Sequence, residues 1–349
     1  TRENAVMRCI TFYGKKLLKK KGKVPTGTHT LEPTWHTGGR AVHCRWRFVM
    51  SDEQKETDVF AGLVGIELSM ERFDLGDGVS ISQAHAHLVN PFLVAFASSQ
   101  EEGFPAKFMG SGEKIGVDLT AELCVPGKFP IGRWNNPINV IRWILAMLRL
   151  WASPNISAPV ISDISLRQAQ PAGDNEGRLM PFETAPRVLK IEEPAGRKVD
   201  AKCLDWIKSN WRYAAALRKE HKELHLAIEA LDQAQFMRDP SLALVSLWGA
   251  LENIFSPTKT ELRFRLSALV ASYLEAPGPK RLELQRHVAR LYDARSAPSN
   301  GGAEDDPAVL KDTFELLRRV IVSIIDRRHV PSKEELEANL FGVTETRFD

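Results

Sequence analysis

Cysteine is scarce in this chain and never clustered. Cys9, Cys44, Cys124 and Cys203 are the four among 349 residues, and no two are closely spaced. That pattern argues against a disulfide framework or a compact structural zinc module, and it fits a reducing cytoplasm. A long apolar run is missing too. The nearest approach to one, 140–152 (VIRWILAMLRLWA), is short and carries Arg142 and Arg149, so no membrane span is expected. The first residues lack the apolar stretch and small-residue cleavage site of a secretory signal, and the expected location is cytoplasmic. No phosphate-cradling glycine loop is found: GSGEKIG from Gly110 has the wrong spacing, and neither serine nor threonine follows Lys114. Nor does one sign of charge dominate. A formal charge of +3 permits nucleic-acid binding without arguing for it. What remains is ordinary for a soluble globular chain, with 43% apolar and 26% charged residues and room for two or three domains.

Several positively charged stretches punctuate the first part. Lys15, Lys16, Lys19, Lys20, Lys21 and Lys23 form either a phosphate-contacting patch or, more ordinarily, a solvated basic arm. The run VHCRWRFVM from Val42 nearly alternates, as a strand with one wet face does, and it carries Arg45 and Arg47. Further strand-like runs start at Val59 (VFAGLVGIELSM), Val79 and Leu88. In EKIGVDLTAELCV the alternation places Ile115, Val117, Leu119, Ala121 and Leu123 on one side. Residues 35–130 therefore read as mostly β. His85 and His87 would share a strand side, but no third ligand is close in sequence and no metal is expected. Pro137 then opens a helix over 137–152, with Ile138, Ile141, Ile144, Leu145 and Leu148 at helical spacing. Arg142 and Arg149 share a face of it, as a basic ridge or, more ordinarily, the helix's solvated side.

Proline and glycine thicken over 151–198, which reads as a connecting arm with one extended piece, PVISDISLRQA. From Val199 the periodicity becomes helical. One long stretch with at most one break, then helices from Leu242, Glu261, Arg281 and Ala308, predict a bundle over 199–330. The tail, 331–349, holds one more helical piece, KEELEANLF. The expected fold class is α+β: a β-rich sensing or regulatory region over 1–150, then an all-α bundle.

Chemistry-bearing residues gather in that bundle. Leu244, Leu247, Trp248, Leu251 and Phe255 recur three and four apart on one helix face, and Glu252 lies beside the stripe. A later helix delivers Tyr292, Asp293, Arg295 and Ser296 to a loop closed by Asn300, Gly301 and Gly302. An arginine leaving a helix end beside an acid is commonly a structural ion pair. Its bidentate fork can equally hold a phosphoryl oxygen. No general base accompanies it, because an amide at position 300 does not titrate.

These residues resemble a HEPN domain of the ApeA-like type. The W-x-A-L-E helix of that family is matched by Trp248, Ala250, Leu251 and Glu252, the Tyr-x-x-Arg-Ser helix end by Tyr292, Arg295 and Ser296, and the closing glycine by Gly301. The resemblance covers about residues 200–330; a much weaker one attaches MERFDLGDGVSIS to the β-rich region that precedes such domains. The family's ribonuclease signature is arginine followed, four to six residues on, by histidine. Here Arg295 is followed after four residues by Asn300.

The resemblance implies metal-independent RNA cleavage by 2′-oxygen attack, without a cofactor, in a composite cleft shared by two protomers packed through the bundle. It assigns phosphate binding to Arg295, orientation of Arg295 or tuning of the cleft to Glu252 and Asp293, and proton transfer or 2′-oxygen positioning to residue 300. Ser296 beside Arg295 is a further candidate RNA contact, and so, from their basic character and not from the resemblance, are Arg45, Arg47, Lys19 and Lys20. The implied setting is a bacterial anti-phage defence or toxin system with a phage-derived trigger or a neutralising partner. Asn300 then has two readings. The favoured one is a deliberate substitution of a catalytic histidine, made because the active nuclease poisons the cell that expresses it; the other is a natural inactive or altered member that binds RNA or a protein instead. The alternative function is a non-catalytic module that binds RNA or protein.

Overall fold

The computed structural model describes residues 57–88, 117–167, 178–185, 198–256, 261–295 and 307–343. All of these fall in one compact unit. A mixed β-sheet region comes first in the chain and an all-α bundle follows, an α+β architecture. Lys19, Lys20, Arg45, Arg47, Ser296 and Asn300 lie outside the described residues.

Eight strands are described: β1 (Val59–Val64), β2 (Glu67–Leu68), β3 (Arg72–Gly76), β4 (Val79–Leu88), β5 (Val117–Val125), β6 (Ser157–Ser162), β7 (Leu179–Pro181) and β8 (Lys198–Val199). Six make one sheet, in the order β3-β4-β5-β1-β6-β7, every neighbouring pair antiparallel. β2 and β8 pair in parallel as a separate ribbon. The run expected as one strand from Val59 is thus two. Gly65 divides it at φ +76°, and a Cβ there would sit 2.4 Å from the Asn155 carbonyl oxygen. Only glycine fits that approach. In β5 the alternation holds over Leu119, Ala121 and Leu123, which are buried, whereas Val117 at the strand's start is 41% exposed. Glu122, on the opposite parity, is also buried. Ser165 Oγ donates to it at 2.9 Å and the Leu166 N–H at 2.5 Å.

The helices are α1 (Pro137–Trp151), α2 (Ala201–Glu220), α3 (Lys222–Ala234), α4 (Pro240–Phe255), α5 (Leu262–Leu274), α6 (Pro279–Ala294), α7 (Pro307–Arg327) and α8 (Lys333–Phe341). α1 begins where Pro137 placed it, with Asn136 Oδ1 accepting the Asn139 N–H at 2.9 Å. It is apolar around most of its circumference, and Val140, Ile141, Trp143, Ile144, Leu145, Met147, Leu148 and Leu150 are all buried. Such a helix needs cover on several sides. It packs on β1 and β5 and also on α2, α3 and α7, so sheet and bundle close over one continuous core.

Arg149 departs from the expectation of a wet or partner-facing ridge, because its side chain is only 4% exposed. It donates to the Ile156 carbonyl at 2.8 Å, to Asp232 at 2.9 Å and to Glu183 at 2.5 Å. Its seven-residue neighbour Arg142 stays exposed, its guanidinium 5.4 Å from the Phe182 ring centroid. Two other joints tie the sheet to the bundle. Trp211, fully buried, donates from Nε1 to the Leu75 carbonyl at 3.0 Å, while its own carbonyl accepts the Trp143 indole N–H at 2.7 Å. Arg212 donates to Asp77 at 2.6 Å in the Gly76–Gly78 turn.

Candidate functional site

α4 owes its start to Asp239, whose carboxylate accepts the N–H groups of Ser241 and Leu242, and to Pro240 in the first turn. The stripe read from the sequence is the buried one: Leu244 is 5% exposed, and Leu247, Trp248, Leu251 and Phe255 are fully covered. Burying that stripe fixes the helix's rotation and leaves Glu252 half-exposed at its edge. α6 starts with Pro279 after Gly278 and buries little, only Val288, Ala289 and Leu291. Its last turn therefore presents Tyr292, Asp293 and Arg295 near the surface, with the Arg295 N–H closing on the Leu291 carbonyl at 3.2 Å.

Glu252 and Arg295 meet there. Arg295 donates to Glu252 Oε1 at 2.5 Å, and the two side chains are 27% and 30% exposed. The pair is open to solvent rather than sealed in the core. Tyr292 supports it from below. Its hydroxyl donates to the same Glu252 oxygen at 3.3 Å, and the Arg295 guanidinium lies 4.5 Å from its ring centroid. Trp248 meets the Tyr292 ring edge-on at 5.1 Å, which anchors the group to the buried stripe. Burial pushes the Tyr292 phenol above its ordinary 10.0, Arg295 pulls it down, and Glu252 adds to the rise. The phenol is thus a proton donor, not a base, at neutral pH.

Asp293 does not join this cluster. Its carboxylate pairs with Arg263 of α5 at 2.6 Å, with both side chains more than half exposed. Helix geometry explains the divergence, since adjacent positions point about 100° apart. The cluster thus unites Glu252, Tyr292 and Arg295, while Asp293 serves a neighbouring, solvent-screened pair. The Arg263 partnership carried no sequence signal, because the two residues lie on separate helices.

The described residues hold no group of three or more His, Cys, Asp or Glu side chains placed to bind a metal. His85 is exposed on β4, where the pairing with β5 shifts register between Gln83 and Ala86. Burial raises the Cys124 thiol from 9.0 to about 12, so it does not serve as a neutral-pH nucleophile. Among the described residues, no helix is long and apolar enough to cross a membrane.

No family model matches the chain, and no curated protein or solved structure does either.

Proposed function

We propose that the chain is a HEPN-type, metal-independent endoribonuclease of a bacterial anti-phage defence or toxin system, held inactive by asparagine at position 300. The observation that carries the proposal is the meeting of Glu252 with Arg295. Two segments that resemble the family's W-x-A-L-E and Tyr-x-x-Arg-Ser motifs, 43 residues apart at these positions, converge at the surface with Tyr292 between them.

In this mechanism Arg295 neutralises the charge that grows on a phosphoryl oxygen. Glu252 fixes the guanidinium's direction, and Tyr292 gives it a stacking floor. The ribose 2′-oxygen loses its proton and attacks the adjacent phosphorus. The P–O5′ bond breaks, and the leaving 5′-oxygen takes up a proton. The products are a 2′,3′-cyclic phosphate and a 5′-hydroxyl, with no change of oxidation state. Position 300 is the proton-transfer post; asparagine can hydrogen-bond there but cannot accept the proton. A second copy, packed through the bundle, doubles the few groups that one loop supplies around a single phosphate. The β-rich region receives the phage-derived trigger or restrains the nuclease.

Asn300→His is expected to give metal-free RNA turnover and toxicity to the expressing cell, compared at equal folding and dimer content. The competing reading is a non-catalytic module in which Arg295 and Glu252 form a structural ion pair. It expects equal, negligible turnover from both versions, and that result would overturn the proposal.

A further inference from the structure

A second site lies away from Arg295, in a cavity of about 880 Å³ formed by α1, α2, α3 and the segment around Phe182. That volume falls within the range of small-molecule pockets. Its partly exposed aromatic side chains are Trp134 and Phe182; Trp143 also borders it but is buried. Its acidic groups are all engaged. Glu183 and Asp232 hold Arg149, and Glu229 holds Arg218 at 2.7 Å. Arg218 also donates to His225 Nδ1 at 2.7 Å, and its guanidinium lies 5.0 Å from the Trp143 ring centroid. The remaining cations of the lining are Arg142, Lys219 and Lys222, all exposed and none in an ion pair among the described residues.

We infer that this cavity binds a nucleotide, with the base against Trp134 and Phe182 and the phosphates toward Arg142, Lys219 and Lys222. The charge pattern favours an anion. Five arginine and lysine side chains face three carboxylates; Arg149 is shared by Glu183 and Asp232 and Arg218 pairs with Glu229, so cations still outnumber carboxylates in the lining. The aromatic surfaces favour a ligand with a flat face, since stacking on a ring contributes about 1–3 kcal/mol per base. Limited volume favours a free nucleotide over an RNA strand. None of this depends on the ribonuclease reading, because no residue of the cavity belongs to the Glu252–Arg295 cluster.

The test is calorimetric titration of the full chain with ATP, GTP, their monophosphates, inorganic tripolyphosphate and a short single-stranded RNA. The expected result is saturable binding of at least one nucleotide with a Kd below about 1 mM. Arg142→Glu combined with Lys222→Glu should weaken it about tenfold or more while leaving the ligand-free melting temperature unchanged. Trp134→Ala should weaken nucleotide binding more than tripolyphosphate binding, and Trp134→Phe should restore it. The inference is overturned by no saturable nucleotide binding, by affinity indifferent to the charge reversals, by tripolyphosphate binding as tightly as ATP, or by RNA binding more tightly than any nucleotide.

Discussion

At Arg149 a nearly sealed guanidinium meets two carboxylates, each about one-fifth exposed. Removing one member of such a group leaves uncompensated charge at low dielectric. Arg149→Met is expected to lower unfolding stability by about 3 kcal/mol in denaturant titration; a loss near zero would mean that the cluster is solvated. Glu122 tests burial of the opposite sign. Burial raises its carboxyl above the ordinary 4.5, and hydrogen bonds from Ser165 and Leu166 only partly reverse that. The folded state then holds the proton more tightly than the unfolded chain does. The contribution to stability is therefore full below about pH 4.5 and is lost as pH rises through the folded-state value. Stability of the native chain relative to Glu122→Gln should fall between pH 4 and 7, and a relative rise would contradict the assignment. Neither role was legible in the sequence. The partners of Arg149 lie 34 and 83 residues away, and those of Glu122 lie 43 and 44 away. Only the oddity of an arginine within VIRWILAMLRLWA hinted at one of them.

Among the helices and strands, local sequence signals carry further. Pro137 and the three-four spacing after it locate α1, and KEELEANLF is α8, opened by the Ser332–Glu335 capping box. The break allowed between α2 and α3 falls at His221. What periodicity missed was set by distant backbone. The run from Val59 splits at Gly65 because Asn155 presses against it. α4 matters most for the candidate site, since its rotation sets where Glu252 emerges. Asp239 caps it through two N–H groups, and Asp239→Ala is expected to lower stability by about 1 kcal/mol in denaturant titration. An unchanged midpoint would show that Pro240 and the buried stripe suffice. In the candidate site itself, Glu252, Tyr292 and Arg295 were legible as parts of two motifs, but the turning of Asp293 toward Arg263 was not. Motif order says which residues share a neighbourhood, and side-chain direction decides which of them touch.

Across the whole molecule, the sheet and the bundle share their interior. α1 lies against both, and Trp211 hydrogen-bonds strand residue Leu75 from within α2. Trp211→Ala should lower stability by about 3–5 kcal/mol. Sheet and helix signals should still melt in one transition, since neither layer keeps a closed core without the other; two separated transitions would contradict a shared interior. The same continuity bears on function: α3 lines the proposed nucleotide cavity on one side and packs on α4, the helix of Glu252, on another. The central claim remains the chemistry at Arg295. It is tested most directly by the RNA ends that the Asn300→His protein leaves in the presence of EDTA. The expected ends are 2′,3′-cyclic phosphate and 5′-hydroxyl, abolished when Arg295→Ala is added. Intact RNA, or ends bearing 3′-hydroxyl and 5′-phosphate, would contradict it.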